Sequence, residues 1–190
     1  MLKLHSSTRP EWVSTVLGDF DTFLLDHAAC ERKASSMAMS FVVRYPDRDA
    51  IHDPMILVAR EELAHFHQVF RFCMERGLRF SRDQKDPYVS ALMKLTRHGR
   101  DEEFLDRLVL GAVVEARGHE RFGCIAEHLD EGPLQKFYAE LTRSEARHAE
   151  IFLELAGAYF PPEDVSQRVE FFLVADAQLC SRLPVRAALH

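Results

Sequence analysis

Cysteine is scarce in this 190-residue chain and never closely spaced. Cys30, Cys73, Cys124 and Cys180 form no Cys-x-x-Cys, so a zinc ribbon, a rubredoxin-type iron site and a disulfide scaffold are all unsupported; small buried core residues are the simpler role. Long hydrophobic runs are missing too. No stretch approaches the ~18 to 20 apolar residues of a membrane span, and the first dozen residues carry no apolar signal-peptide core. A protein without membrane attachment, in the cytoplasm, is expected. The chain also lacks a flavin or nicotinamide fingerprint and any iron–sulfur motif, so redox chemistry here would draw its electrons from outside. Positive charge is short overall, with 24 Lys and Arg against 30 Asp and Glu and a net charge of −6. Binding to an anionic partner would have to rest on local patches. The 47% hydrophobic content shows no break along the chain, which predicts one domain over residues 1–190.

What is present is helical periodicity with clear punctuation. Thr8-Arg9-Pro10-Glu11 reads as a capping box, and Trp12, Val16, Phe20, Phe23, Leu24 and His27 recur at helical spacing in a first helix that runs to Tyr45-Pro46. Asp53-Pro54 opens a second, whose apolar series Ile56, Ala59, Leu63, Phe66, Phe70 lasts until Gly77. Asp101 opens a third, which stops at Asp130-Glu131-Gly132. Pro133 starts a fourth, stopped by Pro161-Pro162, and a fifth runs from Glu163 to Leu183 with Val165, Val169, Phe172 and Leu173 on its apolar face.

One pattern occurs twice on these helices. Glu62-Leu63-Ala64-His65 has Glu31 at 31 residues upstream, and Glu145-Ala146-Arg147-His148 has Glu115 at 30 upstream. Residues i and i+3 share a helix face, so each Glu/His pair can grip one ion from one side. With 17 Glu and 10 His, roughly one Glu-x-x-His is expected by chance; the repeated upstream Glu is what gives the pattern weight against ordinary solvated i, i+3 pairs. The levels agree as well. In each predicted antiparallel hairpin the upstream Glu and the Glu-x-x-His lie at similar distances from the connecting turn, ~14 to 23 Å along the axis.

Four carboxylates and two imidazoles, three groups from each hairpin, are the ligand set of di-iron and di-manganese carboxylate four-helix bundles. Four carboxylates facing an interior would repel one another and lose hydration, whereas two divalent cations cancel their charge. Hard oxygen donors with one imidazole per ion favour iron or manganese over zinc or copper. Glu31 and Glu115 are expected as terminal ligands, Glu62 and Glu145 as bridges, and His65 and His148 as one ligand to each ion. His27 and His119, four positions from Glu31 and Glu115, are either partners of those ligands or substrate-site residues, or else ordinary hydrogen-bonded or surface histidines. His67 turns away from the metal face. Phe66, Phe70, Phe122, Phe137 and Phe152 fit a core better than an access channel.

Between the hairpins, residues 79–100 are too many for a tight turn and fit the single long crossover of ferritin-like bundles, with a short helix over Tyr88 to Leu95. From Arg71 to Arg100 there are eight Lys or Arg against three acids. The segment is either a solvated loop or a contact for an anionic partner such as a phosphate backbone, with Arg79, Arg82, Lys85, Arg97 and Arg100 as the contacting groups. Arg117, Arg121, Arg143 and Arg147 would extend that patch.

The stretches around Glu31 (His27 to Ala34), Glu62 (Arg60 to Phe66), Glu115 (Glu115-Ala116-Arg117-Gly118-His119-Glu120-Arg121-Phe122) and Glu145 (Ser144 to His148) resemble the tRNA 2-methylthio-N6-isopentenyladenosine hydroxylases. The resemblance covers the whole chain, and all six ligand positions match. It implies an all-α, ferritin-like four-helix bundle with one long crossover and an extra C-terminal helix. It implies also a non-haem di-iron mono-oxygenase that uses two iron ions, O2 as co-substrate and an external electron donor. Its substrate would be the isopentenyl side chain of the modified adenosine at position 37, reached in the anticodon stem-loop of tRNA, where the base is unstacked. A reductase or electron-transfer protein is the implied second partner; monomer and dimer are both compatible. Two other readings share the ligand set: a ferritin-like protein handling iron or peroxide, and a di-iron oxygenase of a small molecule.

Overall fold

The computed structural model describes residues 2–190, and among them all regular structure is helical. The elements are α1 (Pro10–Gly18), α2 (Phe20–Arg44), a one-turn 3-10 helix (Asp49–Ile51), α3 (His52–Glu75), α4 (Pro87–Met93), α5 (Arg100–His128), α6 (Pro133–Tyr159) and α7 (Pro162–Arg182). They sort into two compact units. One comprises residues 11–84 with 185–189, and the other residues 85–184 with His190 and the N-terminal segment up to Pro10.

In the first unit α2 and α3 pack along one another as a hairpin, tied by the Ser35 hydroxyl donating to the Ala59 carbonyl at 2.7 Å. The single first helix expected from periodicity is in fact two. Asp19 leaves helical geometry (φ −141°, ψ 61°) and its carboxylate accepts from the Thr22 N–H, capping α2 and dividing it from α1. The capping box at Thr8 does not form either, because Thr8 bonds Glu120 through both its backbone N–H (2.7 Å) and its hydroxyl (2.8 Å). On α3 the core face is Met55, Val58, Ala59, Glu62, Val69 and Cys73. Leu63, expected inside, is 55% exposed. The buried Glu62 sits in the middle of the true apolar stripe and hides its period. Gly77 then ends the hairpin at φ +70°, a conformation that favours glycine, with the Leu78 N–H reaching back to the Cys73 carbonyl.

In the second unit α5 and α6 form the corresponding hairpin across residues 129–132, and α7 packs against α5. Gly111 lets them approach: a Cβ there would lie 2.9 Å from Cε1 of the fully buried Phe152. Asp86 caps α4 by accepting from the Tyr88 and Val89 N–H groups, close to the short helix expected in the crossover. Two buried carboxylates organise this unit. Asp176 of α7 accepts from Arg117 of α5 (Nη2, 2.6 Å) and from the Tyr88 hydroxyl (2.7 Å), while Asp106 of α5 is gripped by Arg97 and Arg168.

Candidate metal centre

Each hairpin gathers its own three donors. In the α2–α3 unit Glu31 and Glu62 are buried and His65 is nearly so. The Nδ1 atom of His65 lies 3.3 Å from Glu62 Oε2 and 3.7 Å from Glu31 Oε2. In the α5–α6 unit Glu115, Glu145 and His148 are all buried, and His148 Nδ1 lies 3.3 Å from Glu145 Oε2. Within each triad the ligand atoms lie within 4.8 Å of one another, close enough to converge on one ion. Helical spacing sets this geometry: the Glu and His of each Glu-x-x-His project from one face, and the partner helix brings its own Glu to their level.

The electrostatics explain how the α2–α3 triad holds together in the protein alone. Burial by itself would raise Glu31, but the imidazole of His27 and hydrogen bonds from His27 and His65 outweigh it, leaving the carboxyl well below its usual range. Burial would lower His65, yet its hydrogen bonds to Glu31 and Glu62 prevail and raise it to about 10. The proton on His65 thus occupies a place in the charge balance that a cation can take over. Two carboxylates and one imidazole per triad, in a buried setting without thiolates, form a hard donor set that fits iron or manganese. The residues present therefore fit a metal centre.

Of the two histidines left open by the sequence, His27 is the one that pairs with Glu31. It is fully buried, stacked on Phe23, and its Nε2 lies 2.5 Å from Glu31 Oε1. His119 instead bonds the Thr142 carbonyl at 2.7 Å, joining α5 to α6, and His67 is exposed as expected. Phe122, Phe137 and Phe152 are core residues, whereas Phe66 and Phe70 are partly exposed.

The basic residues of the crossover divide by role. Arg79, Arg82, Lys85, Arg97 and Arg100 are all exposed, but the Arg97 guanidinium also grips Asp106 at 2.9 Å. Arg117 and Arg121 are buried, so they add nothing to a surface patch; Arg143 and Arg147 remain exposed. Nothing in the sequence marks Arg117 as internal, because its partner Asp176 lies 59 residues away.

An all-helical chain with two buried Glu, Glu-x-x-His triads has the hallmarks of the ferritin-like carboxylate metalloproteins. A solved structure of that fold, a Synechococcus protein with aldehyde deformylating oxygenase activity, superposes with a TM-score of 0.94 at 30% identity, covering 100% of this chain and 96% of that one. The chain matches the model of the family described as tRNA-(MS[2]IO[6]A)-hydroxylase (MiaE) over residues 2–190, and it belongs to that family. Curated relatives agree. A Pseudomonas putida protein named tRNA 2-(methylsulfanyl)-N(6)-isopentenyladenosine(37) hydroxylase is 38% identical over 93% of this chain and 85% of its own length. A Salmonella typhimurium protein of the same name is 30% identical over 93% of this chain and 83% of its own. No helix among the described residues is long and apolar enough to cross a membrane.

Proposed function

We propose that this protein hydroxylates the isopentenyl side chain of 2-methylthio-N6-isopentenyladenosine at position 37 of tRNA, in the cytoplasm. The observation that carries the reading is the pair of buried donor triads, intact at every position, in a chain whose family and curated relatives bear that activity in their names. Glu31, Glu62 and His65, together with Glu115, Glu145 and His148, would hold two iron ions, the two units acting as one di-iron domain. When bound, the irons supply the redox chemistry that splits O2 and inserts one oxygen atom into a C–H bond.

The protein's own groups hold the ligands and keep them dry. His27 fixes Glu31 by its hydrogen bond, and burial of the carboxylates keeps bulk water from competing for the metal. The second oxygen atom of O2 leaves as water, which takes two electrons and two protons; a reductase or electron-transfer protein is the source of the electrons. The exposed Arg79, Arg82, Lys85, Arg97 and Arg100 would contact the phosphates of the anticodon stem-loop.

The test is a reconstitution. Purified protein loaded anaerobically with ferrous iron should bind two irons per chain. With a reductant and isotopically labelled O2 it should place one labelled oxygen on the modified nucleoside of tRNA. The likeness to a deformylating oxygenase favours one alternative, an oxygenase of a small apolar molecule. Turnover of free aldehydes or hydrocarbons with no reaction on tRNA would favour it.

A further inference from the structure

The α2–α3 unit contains a cleft of about 290 Å³, lined by none of its three donor residues and bounded by α2, the start of the crossover and the C-terminal segment. Its volume is at the lower end of ligand cavities, enough for a phosphate with its sugar rather than a large cofactor. The cleft is built from three separate parts of the chain. Trp12 donates from Nε1 to the Ala188 carbonyl (3.0 Å), and the Leu189 N–H donates to Asp26 (2.8 Å), so the C-terminal segment is strapped to this unit. Lys33 Nζ donates to the Gln84 carbonyl at 3.2 Å and Arg32 pairs with Asp83 at 2.5 Å, so the crossover is tied to α2.

Charge distinguishes this cleft from the rest of an acidic protein. Lys33, Arg82 and Arg186 line it, against Asp26 and Asp83. Three cations face two acids, and Asp83 is moreover paired with Arg32, so the lining has a positive excess. Phe80, whose ring stacks on Phe70, adds an apolar wall. Cations beside an apolar floor, in a chain of net charge −6, suit a phosphodiester carrying its ribose.

We propose that this cleft seats a phosphate of the tRNA anticodon arm, with Arg186 of the C-terminal segment and Lys33 of α2 joining Arg82 of the crossover as the contacting residues. The inference rests on the tRNA-hydroxylase reading and adds to the crossover contacts a residue of α2 and one of the C-terminal segment. Such a contact fixes the register of the RNA on the protein without reading its sequence.

The test measures binding of a fluorescently labelled anticodon stem-loop to the full-length, iron-loaded protein across a salt series. Arg82→Ala and Arg186→Ala should each weaken binding about 3- to 10-fold near 0.1 M salt and flatten the plot of log K against log salt by roughly 0.7 to 0.9. Arg186→Lys, which keeps the charge, should retain most of the affinity. Lys136→Glu, exposed on α6 and remote in sequence from the cleft, should change nothing. Native affinity and slope in both alanine variants would overturn the cleft assignment while leaving the tRNA reading intact. The same result with slowed reduction by the electron donor would reassign the cleft to an acidic protein. A native protein that neither binds nor modifies the RNA would overturn both.

Discussion

Replacing Asp176 by alanine should unfold this protein far more readily, for reasons that can be counted in the structure. Asp176 and Arg117 are both 0% exposed, and the carboxylate accepts from Arg117 Nε (3.1 Å) and Nη2 (2.6 Å), from the Tyr88 hydroxyl (2.7 Å) and from Cys180 Sγ (3.6 Å). Removing one partner of a buried ion pair typically costs about 3 to 5 kcal/mol, and a stranded tyrosine hydroxyl adds about 1 kcal/mol. Glu120 and the Ser6 carbonyl remain on Arg117 and moderate the loss, so about 3 to 5 kcal/mol in total is expected. Against a typical stability of about 5 to 15 kcal/mol this is a large share, and it corresponds to a fall in Tm of roughly 6 to 20 °C. The assay is urea unfolding at fixed metal content, since bound metal shifts apparent stability. The double variant Arg117→Met with Asp176→Leu should recover much of the loss, because it leaves no unpaired buried charge. A change below about 1 kcal/mol for Asp176→Ala would refute the account of this network.

Three further outcomes are expected. The Asp86 carboxyl would be raised by burial but is held at about 2, below its ordinary 3.8, by His190 and the α4 N–H groups. A depressed folded-state value means that its contribution, about 2 kcal/mol, is present above pH ~4 and is lost as pH falls towards 2; Asp86→Ala should flatten that acid limb in a stability–pH series. Gly111→Ala gains about 1 kcal/mol of helix propensity but forces Cβ onto the buried Phe152 ring, an overpacking cost of about 1 to 3 kcal/mol. No change or a net loss is expected by urea unfolding, and a clear gain in stability would contradict the packing of α5 on α6. His27→Phe removes the hydrogen bond to Glu31 and should weaken iron binding about 10- to 100-fold in a metal titration, with His27→Gln intermediate.

The sequence revealed the parts of this protein that depend on short-range spacing. Glu-x-x-His, proline at a helix start and glycine after a helix end are local signals, and the donor triads and most helix ends follow from them. Longer-range features were not legible. Arg117 reads as a surface arginine until α7 brings Asp176 against it, and Thr8 reads as a cap until it meets Glu120. The apolar stripe of α3 was misplaced because Glu62, a carboxylate, occupies a core position. The break at Asp19 was concealed by apolar spacing that continues across it, although Gly18-Asp19 is a plausible local signal for a stop and a cap. In each case a polar group took a place that periodicity alone assigns to an apolar one, or a distant segment supplied a partner.

The central claim is that the donor triads serve oxygen insertion on a tRNA nucleoside. Its most direct test is nucleoside mass spectrometry on tRNA from cells that make 2-methylthio-N6-isopentenyladenosine but cannot hydroxylate it, expressing either the native protein or Glu115→Ala. The account predicts one added oxygen on that nucleoside with the native protein and none with the variant. An unmodified nucleoside with soluble, iron-loaded native protein, or the same added oxygen with the Glu115→Ala protein, would contradict it.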